Sequence, residues 1–267
     1  MPDSMLLSFS AIVSLLPPSL LAMRRNHKPD VIFWLVLIVA VIGPVNWIIF
    51  SMVGIWQTNL PTALWITVSA TMIVFTIVTI FTDQTWRLTP LITAYLACLG
   101  VLALVWDSAP PKPLDVNLNS NNWIIIHIAV SVCTYALVTI AALAALAAFL
   151  QESALKKKQQ TSISKILPSV IDCEKLEVKL LLIGEIILAI GLSSGMALQY
   201  ADTGALLTFD HKTVLSITAF IVIAGLLVGH YKTGLRGRKA TRIILLAYLL
   251  LTLGYPGVKF ITDVILV

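Results

Sequence analysis

Apolar residues dominate this chain in long stretches, broken only by short polar intervals. The stretches lie near 5–23, 31–54, 62–82, 86–106, 123–150, 176–199, 211–231 and 240–265. About 20 apolar residues in a helix rising 1.5 Å per residue cross the ~30 Å hydrocarbon core of a bilayer. The pattern therefore predicts an all-α transmembrane helix bundle of about eight spans. Too few residues remain for a sizeable soluble domain, so residues 1–267 read as a single integral-membrane domain. The first stretch has no basic residue before it and is followed by Arg24 and Arg25, the reverse of a cleaved signal. It is kept as a membrane helix, with a bend expected at Pro17-Pro18, where a backbone donor is lost.

Composition agrees. The chain is 58% hydrophobic and 12% charged, against about 25% charged in ordinary soluble domains. Fifteen of the 18 Lys and Arg residues lie in or beside alternate breaks, from Arg24 and Arg87 through Lys156–Lys158 to Lys232 and Arg242. Only Lys112, Lys212 and Lys259 lie on the other side. Such asymmetry places the basic side in the cytoplasm and both termini outside, as expected for a multi-pass protein of the bacterial inner (plasma) membrane. The net charge of +5 is thus a topology signal, and no nucleic-acid partner is expected. The basic run Leu235–Arg242 reads as a loop beside anionic lipid. Cys98, Cys133 and Cys173 form neither C-x-x-C nor C-x-x-C-H, which excludes a dithiol reductant and a self-contained c-type cytochrome.

Two histidines interrupt the apolar pattern at the outer rim. His127 begins the fifth span and His211 the seventh, at similar shallow depth. Ser131 and Thr134 share the helical face of His127, with Tyr135 at its edge, and Thr218 shares the face of His211. Two neutral imidazoles facing across a gap are axial ligands suited to haem iron, with Lys212 a cation for its propionates. The alternative is ordinary: rim histidines also cap helices or bond within a bundle. If His127 ligates through one nitrogen, the other needs a partner, and Ser131 or a loop carbonyl is expected to supply it. His230 lies 19 residues from His211 on the same helix, roughly 28 Å away, and cannot share its site. His27 reads as solvated.

Glu185 sits mid-span in "LLLIGEIILAIGLSSG". An intramembrane carboxyl is a candidate proton relay or gate; the plainer reading is a protonated carboxyl bonded to a neighbouring helix. Gly184, Gly191, Ser193, Ser194 and Gly195 read as close helix packing. Trp56, Trp106 and Trp123 suit an interfacial aromatic belt or stacking on a bound ring. The segment 107–122, rich in Pro and Asn, reads as an irregular cover between spans four and five.

Three stretches carry a family resemblance: "HIAVSVCTYALVTIAALAALAAF" from His127, "FDHKTVLSITAF" from Phe209, and "GHYKTGLRGRKATR" from Gly229. With "LPSVIDCEKLE" and "YPGVKFI" in register, they resemble the cytochrome c assembly membrane proteins, in the small YpjD- and HemX-like branch. The resemblance is strongest over 120–263; residues 1–119 agree mainly in hydropathy. It implies a helix bundle, haem as cofactor, and cytochrome maturation components as partners. It also implies that His127 and His211 occupy the positions of the two outer haem ligands. The Trp-rich motif W-G-x-x-W-x-W-D of haem-handling members is absent. That points to a haem-binding assembly factor or regulator of haem supply, not an enzyme. A small-solute or proton transporter built on Glu185 is the competing class, and a scaffold with packed histidines is a third.

Overall fold

The computed structural model describes residues 2–24, 29–51, 57–107, 122–158, 162–204 and 210–265. They form α1 (Pro2–Arg24), α2 (Val31–Ser51), α3 (Leu60–Phe81), α4 (Thr89–Val105), α5 (Asn122–Lys156), α6 (Ser162–Ile166), α7 (Val170–Thr203), α8 (His211–Thr233), α9 (Arg238–Thr252) and the one-turn α10 (Val258–Phe260). A 3₁₀ turn, Thr85–Leu88, leads into α4, and two π-helical turns, Leu253–Gly257 and Ile261–Ile265, carry α9 to the end of the last span. Eight of these helical segments are long and apolar enough to cross a membrane, and among the described residues there is no strand.

Pro17 and Pro18 both lie inside α1. The expected spans are present, with one difference. The cytoplasmic interval expected at 151–175 is largely helix, because α5 and α7 run 35 and 34 residues. Each is about 50 Å long and extends well past the hydrocarbon layer. Gln151 ties this end down: its side-chain amide donates to the carbonyls of Ser164, Leu167 and Pro168 at 2.8–3.1 Å. Side-chain caps set the starts of four helices, the first by Asp30, which accepts from Phe33 N ahead of α2. Asn59 accepts from Thr62 N, Ser169 from Asp172 N, and Asp210 from Thr213 N.

Lipid tails give helices no hydrophobic reason to associate, so contact must come from close packing and hydrogen bonds. The most extensive seam joins α5 to α7, and small residues make it possible. Ala141, Ala142, Ala144, Ala145, Ala147 and Ala148 are all at most 4% exposed. On α7, a Cβ built at Gly184 would touch Val138, one at Gly191 would touch Val130, and one at Gly195 would touch His127. The pairs 184/138, 191/130 and 195/127 define one antiparallel register. In the first half of the bundle, α1 packs on α2 and α4. There a Cβ at Gly43 would overlap Ser14, Trp47 Nε1 donates to Ser8 Oγ at 2.8 Å, and Trp47 stacks on Trp65.

Candidate functional site

α5 packs along α7, α3 and α9, while α8 packs against α9 and α7. α5 and α8 touch little, and between them lies a cavity of about 290 Å³. Small-molecule sites usually span roughly 300–1,000 Å³, so this one is at the lower edge. α5 supplies His127, Ser131, Thr134 and Tyr135 to its wall. Opposite them stand Lys212 and Ser216 of α8, with Leu188 and Gly191 of α7 alongside. Leu251, Gly254 and Tyr255 close it from the last span. The wall is mainly apolar, with a single imidazole and a single ammonium.

His127 is half-buried, and its Nδ1 lies 2.9 Å from Ser194 Oγ on α7. The expected partner, Ser131, lines the cavity but does not hold the ring. Sequence reasoning missed Ser194 because it took "GLSSG" for packing alone. A signal was available: in antiparallel helices, residues near the outer end of one face residues near the outer start of the other.

α8 is rotated differently from the sequence expectation. Its buried residues are Ala219, Ile223, Leu226 and Leu227. At about 100° per residue, the centre of that face lies roughly 100° round from His211 and coincides with Lys212 and Ser216. His211 is exposed at the first position of α8, beside the cavity-lining Lys212, and is not itself in the wall. Thr218 is exposed and donates its hydroxyl to Val214 O. The polar side traced from His211 through Thr218 thus does not face the cavity.

Behind the cavity, tyrosines form a hydroxyl chain. Thr252 Oγ donates to Tyr248 O at 2.8 Å, so it accepts from Tyr135 Oη at 3.1 Å. Tyr135 then accepts from Tyr248 Oη, also at 3.1 Å, and Tyr248 accepts from Tyr95 of α4. The chain links the α5 wall to the first half of the bundle.

The remaining candidates lie elsewhere. Glu185 is 9% exposed, and neither carboxyl oxygen has a hydrogen-bond partner among the described residues, so the expected bond to a neighbouring helix is not made. Cys98 is exposed and Cys173 buried. His230, at the opposite end of α8, donates Nδ1–H to Leu235 O at 3.1 Å. Trp106 packs edge-on against Phe260, while Trp123 is 64% exposed in the manner of a belt residue. His27, Trp56 and most of the 107–122 segment lie outside the described residues.

Comparison with known proteins agrees with the architecture. The family described as Cytochrome C assembly protein matches residues 6–266. The chain belongs to that family. The match includes the first four helices, for which the sequence offered only hydropathy. The chain is 46% identical over 271 residues, covering 100% of both chains, to an uncharacterized 28.8 kDa protein of the nifR3-like 5′ region in Azospirillum brasilense. It is 28% identical over 196 residues, 73% of this chain and 72% of the other, to the inner membrane protein YpjD of Escherichia coli K12. It is 22% identical over 201 residues, 64% of each chain, to the cytochrome c biogenesis protein CcsA of Prochlorococcus marinus. With its eight apolar helices, the cytochrome c assembly family member described here is a multi-pass protein of the bacterial inner membrane.

Proposed function

We propose that this protein binds haem at the cavity between α5 and α8 and acts in cytochrome c assembly or haem handling. His127 would hold it through its imidazole from inside the cavity, and His211 would add a second imidazole from the rim. The observation that carries this reading is the placement of His127: an imidazole held by its Nδ1 in a mainly apolar cavity, facing a cation. When bound, haem would supply an iron for which imidazole nitrogens are suitable ligands. His211 is exposed at the first turn of α8, so its ring is not locked by packing and can turn toward the cavity mouth. Lys212 lines that mouth, where an ammonium pairs with a carboxylate. At about 290 Å³ the cavity would enclose part of the macrocycle. Both termini and the cavity face the cell exterior in this reading, the side on which a haem in transit would be handed over.

The test is an absorption spectrum of the protein purified with haem. A Soret band that is lost in His127→Ala and weakened in His211→Ala is expected, with His27→Ala and His230→Ala unchanged. A band that survives His127→Ala intact defeats the proposal.

A further inference from the structure

The seam between α5 and α7 contains a device that packing alone does not require. We propose that Ser194 is a positioning residue that selects the tautomer of His127, so that Nε2 presents a lone pair to the cavity. The inference rests on the haem reading for its purpose, but its geometry is independent of any ligand.

Hydrogen counting gives the result. A serine hydroxyl has one hydrogen, and that of Ser194 is donated to the Gly191 carbonyl, one turn back, at 2.9 Å. Toward His127 the oxygen can therefore only accept, and at 2.9 Å from Nδ1 it requires that Nδ1 carry a hydrogen. A neutral imidazole has one N–H, so Nε2 is left as a lone pair, the state in which histidine ligates a metal.

Gly195 completes the seat. A Cβ there would lie 3.0 Å from His127 Cε1 and 3.7 Å from each ring nitrogen. The ring thus rests with its Cε1 edge toward the α7 backbone and its two nitrogens on opposite flanks. The stretch Gly191–Gly195 combines an acceptor carbonyl, an acceptor hydroxyl and an absent side chain at the spacing of one helical turn. Ser193, its immediate neighbour, is exposed and donates to Ala189 O, and so takes no part.

Nitrogen NMR of ¹⁵N-histidine-labelled protein, free of haem and in lipid nanodiscs, reads the tautomer directly, with His127→Ala identifying the resonances. Wild type should show His127 protonated at Nδ1. Ser194→Ala should shift the ring to a mixture of tautomers, Ser194→Thr should restore the original one, and Ser193→Ala should change nothing. In titrations with haem, Ser194→Ala should weaken binding by roughly ten- to hundredfold, the usual cost of losing the partner that orients a ligating histidine. A wild-type ring protonated at Nε2, or a Ser194→Ala variant with unaltered tautomer and affinity, overturns the inference. A Soret band indifferent to His127→Ala would sink the haem reading while leaving the NMR result to decide the role of Ser194.

Discussion

At the scale of single residues, polar groups in this bundle divide into those with a partner and those without. His127 has its partner in Ser194; Glu185 has none among the described residues. A carboxylate left charged and alone in the bundle would be very costly, so Glu185 is assigned its proton. Glu185→Gln exchanges one unpartnered polar group for another and should be nearly silent in fold, thermal stability and haem spectrum. Glu185→Met removes the buried polar group and should raise stability by about 1–3 kcal/mol, measured by thermal unfolding in detergent. A folded Glu185→Gln protein that has lost function would instead favour a proton relay. His127 itself was legible in the sequence, because a histidine inside an apolar run is conspicuous. Ser194 was not, because its role depends on which helix lies opposite and in what register, and neither is written in local spacing.

At the scale of elements, α8 shows where sequence periodicity misleads. His211 and Thr218 do share a face, but the rotation of a membrane helix is set by where its small and branched residues pack. Ala219 and Ile223, both 0% exposed, turn that face outward and bring Lys212 and Ser216 to the cavity. Lipid makes the error easy, since an outward face need not be polar and an inward one need not be apolar. The start of α8 is fixed by Asp210, whose Oδ1 accepts from Thr213 N at 2.8 Å. Hydrogen bonding from Thr213, above all its side chain, holds the Asp210 carboxyl below the ordinary aspartate value, with Lys212 and His211 assisting. A carboxyl whose pKa is lowered on folding stabilises the folded state above the ordinary aspartate range. That contribution fades as pH falls through the folded value, so the first turn of α8 should open more readily below about pH 4. Hydrogen exchange at Thr213 and Val214 should report it. Asp210→Ala should cost about 1 kcal/mol at neutral pH, and Asp210→Asn should keep the cap while losing the acid sensitivity.

At the scale of the whole molecule, the number of spans was legible from hydropathy because a bilayer imposes its thickness on every crossing. The depth of α5 and α7 beyond that thickness was not, since the extensions carry charged residues that read as loop. These extensions gather at one end, where Arg238 lies 3.7 Å from Glu152 and Gly237 N donates to Glu174 at 3.3 Å. The turn between α8 and α9 is thereby tied to α5 and α7. Most of the basic residues lie toward this end, which the positive-inside rule assigns to the cytoplasm. A periplasmically active reporter fused after Val267 should therefore be active, and a cytoplasmically active one silent. The opposite pattern would invert the orientation and move the cavity to the cytoplasmic face.

The hydroxyl chain behind the cavity also has a timetable. Tyr95 and its partner Tyr248 are separated by 153 residues, roughly 8 to 30 s of synthesis at ~5–20 residues per second. Throughout that interval the Tyr95 hydroxyl lacks its Tyr248 partner. The same late segment carries Leu251, Gly254 and Tyr255, which close the cavity. A nascent chain displaying His127 thus has no finished pocket, and the ability to hold a ligand arrives only as the last span enters the membrane.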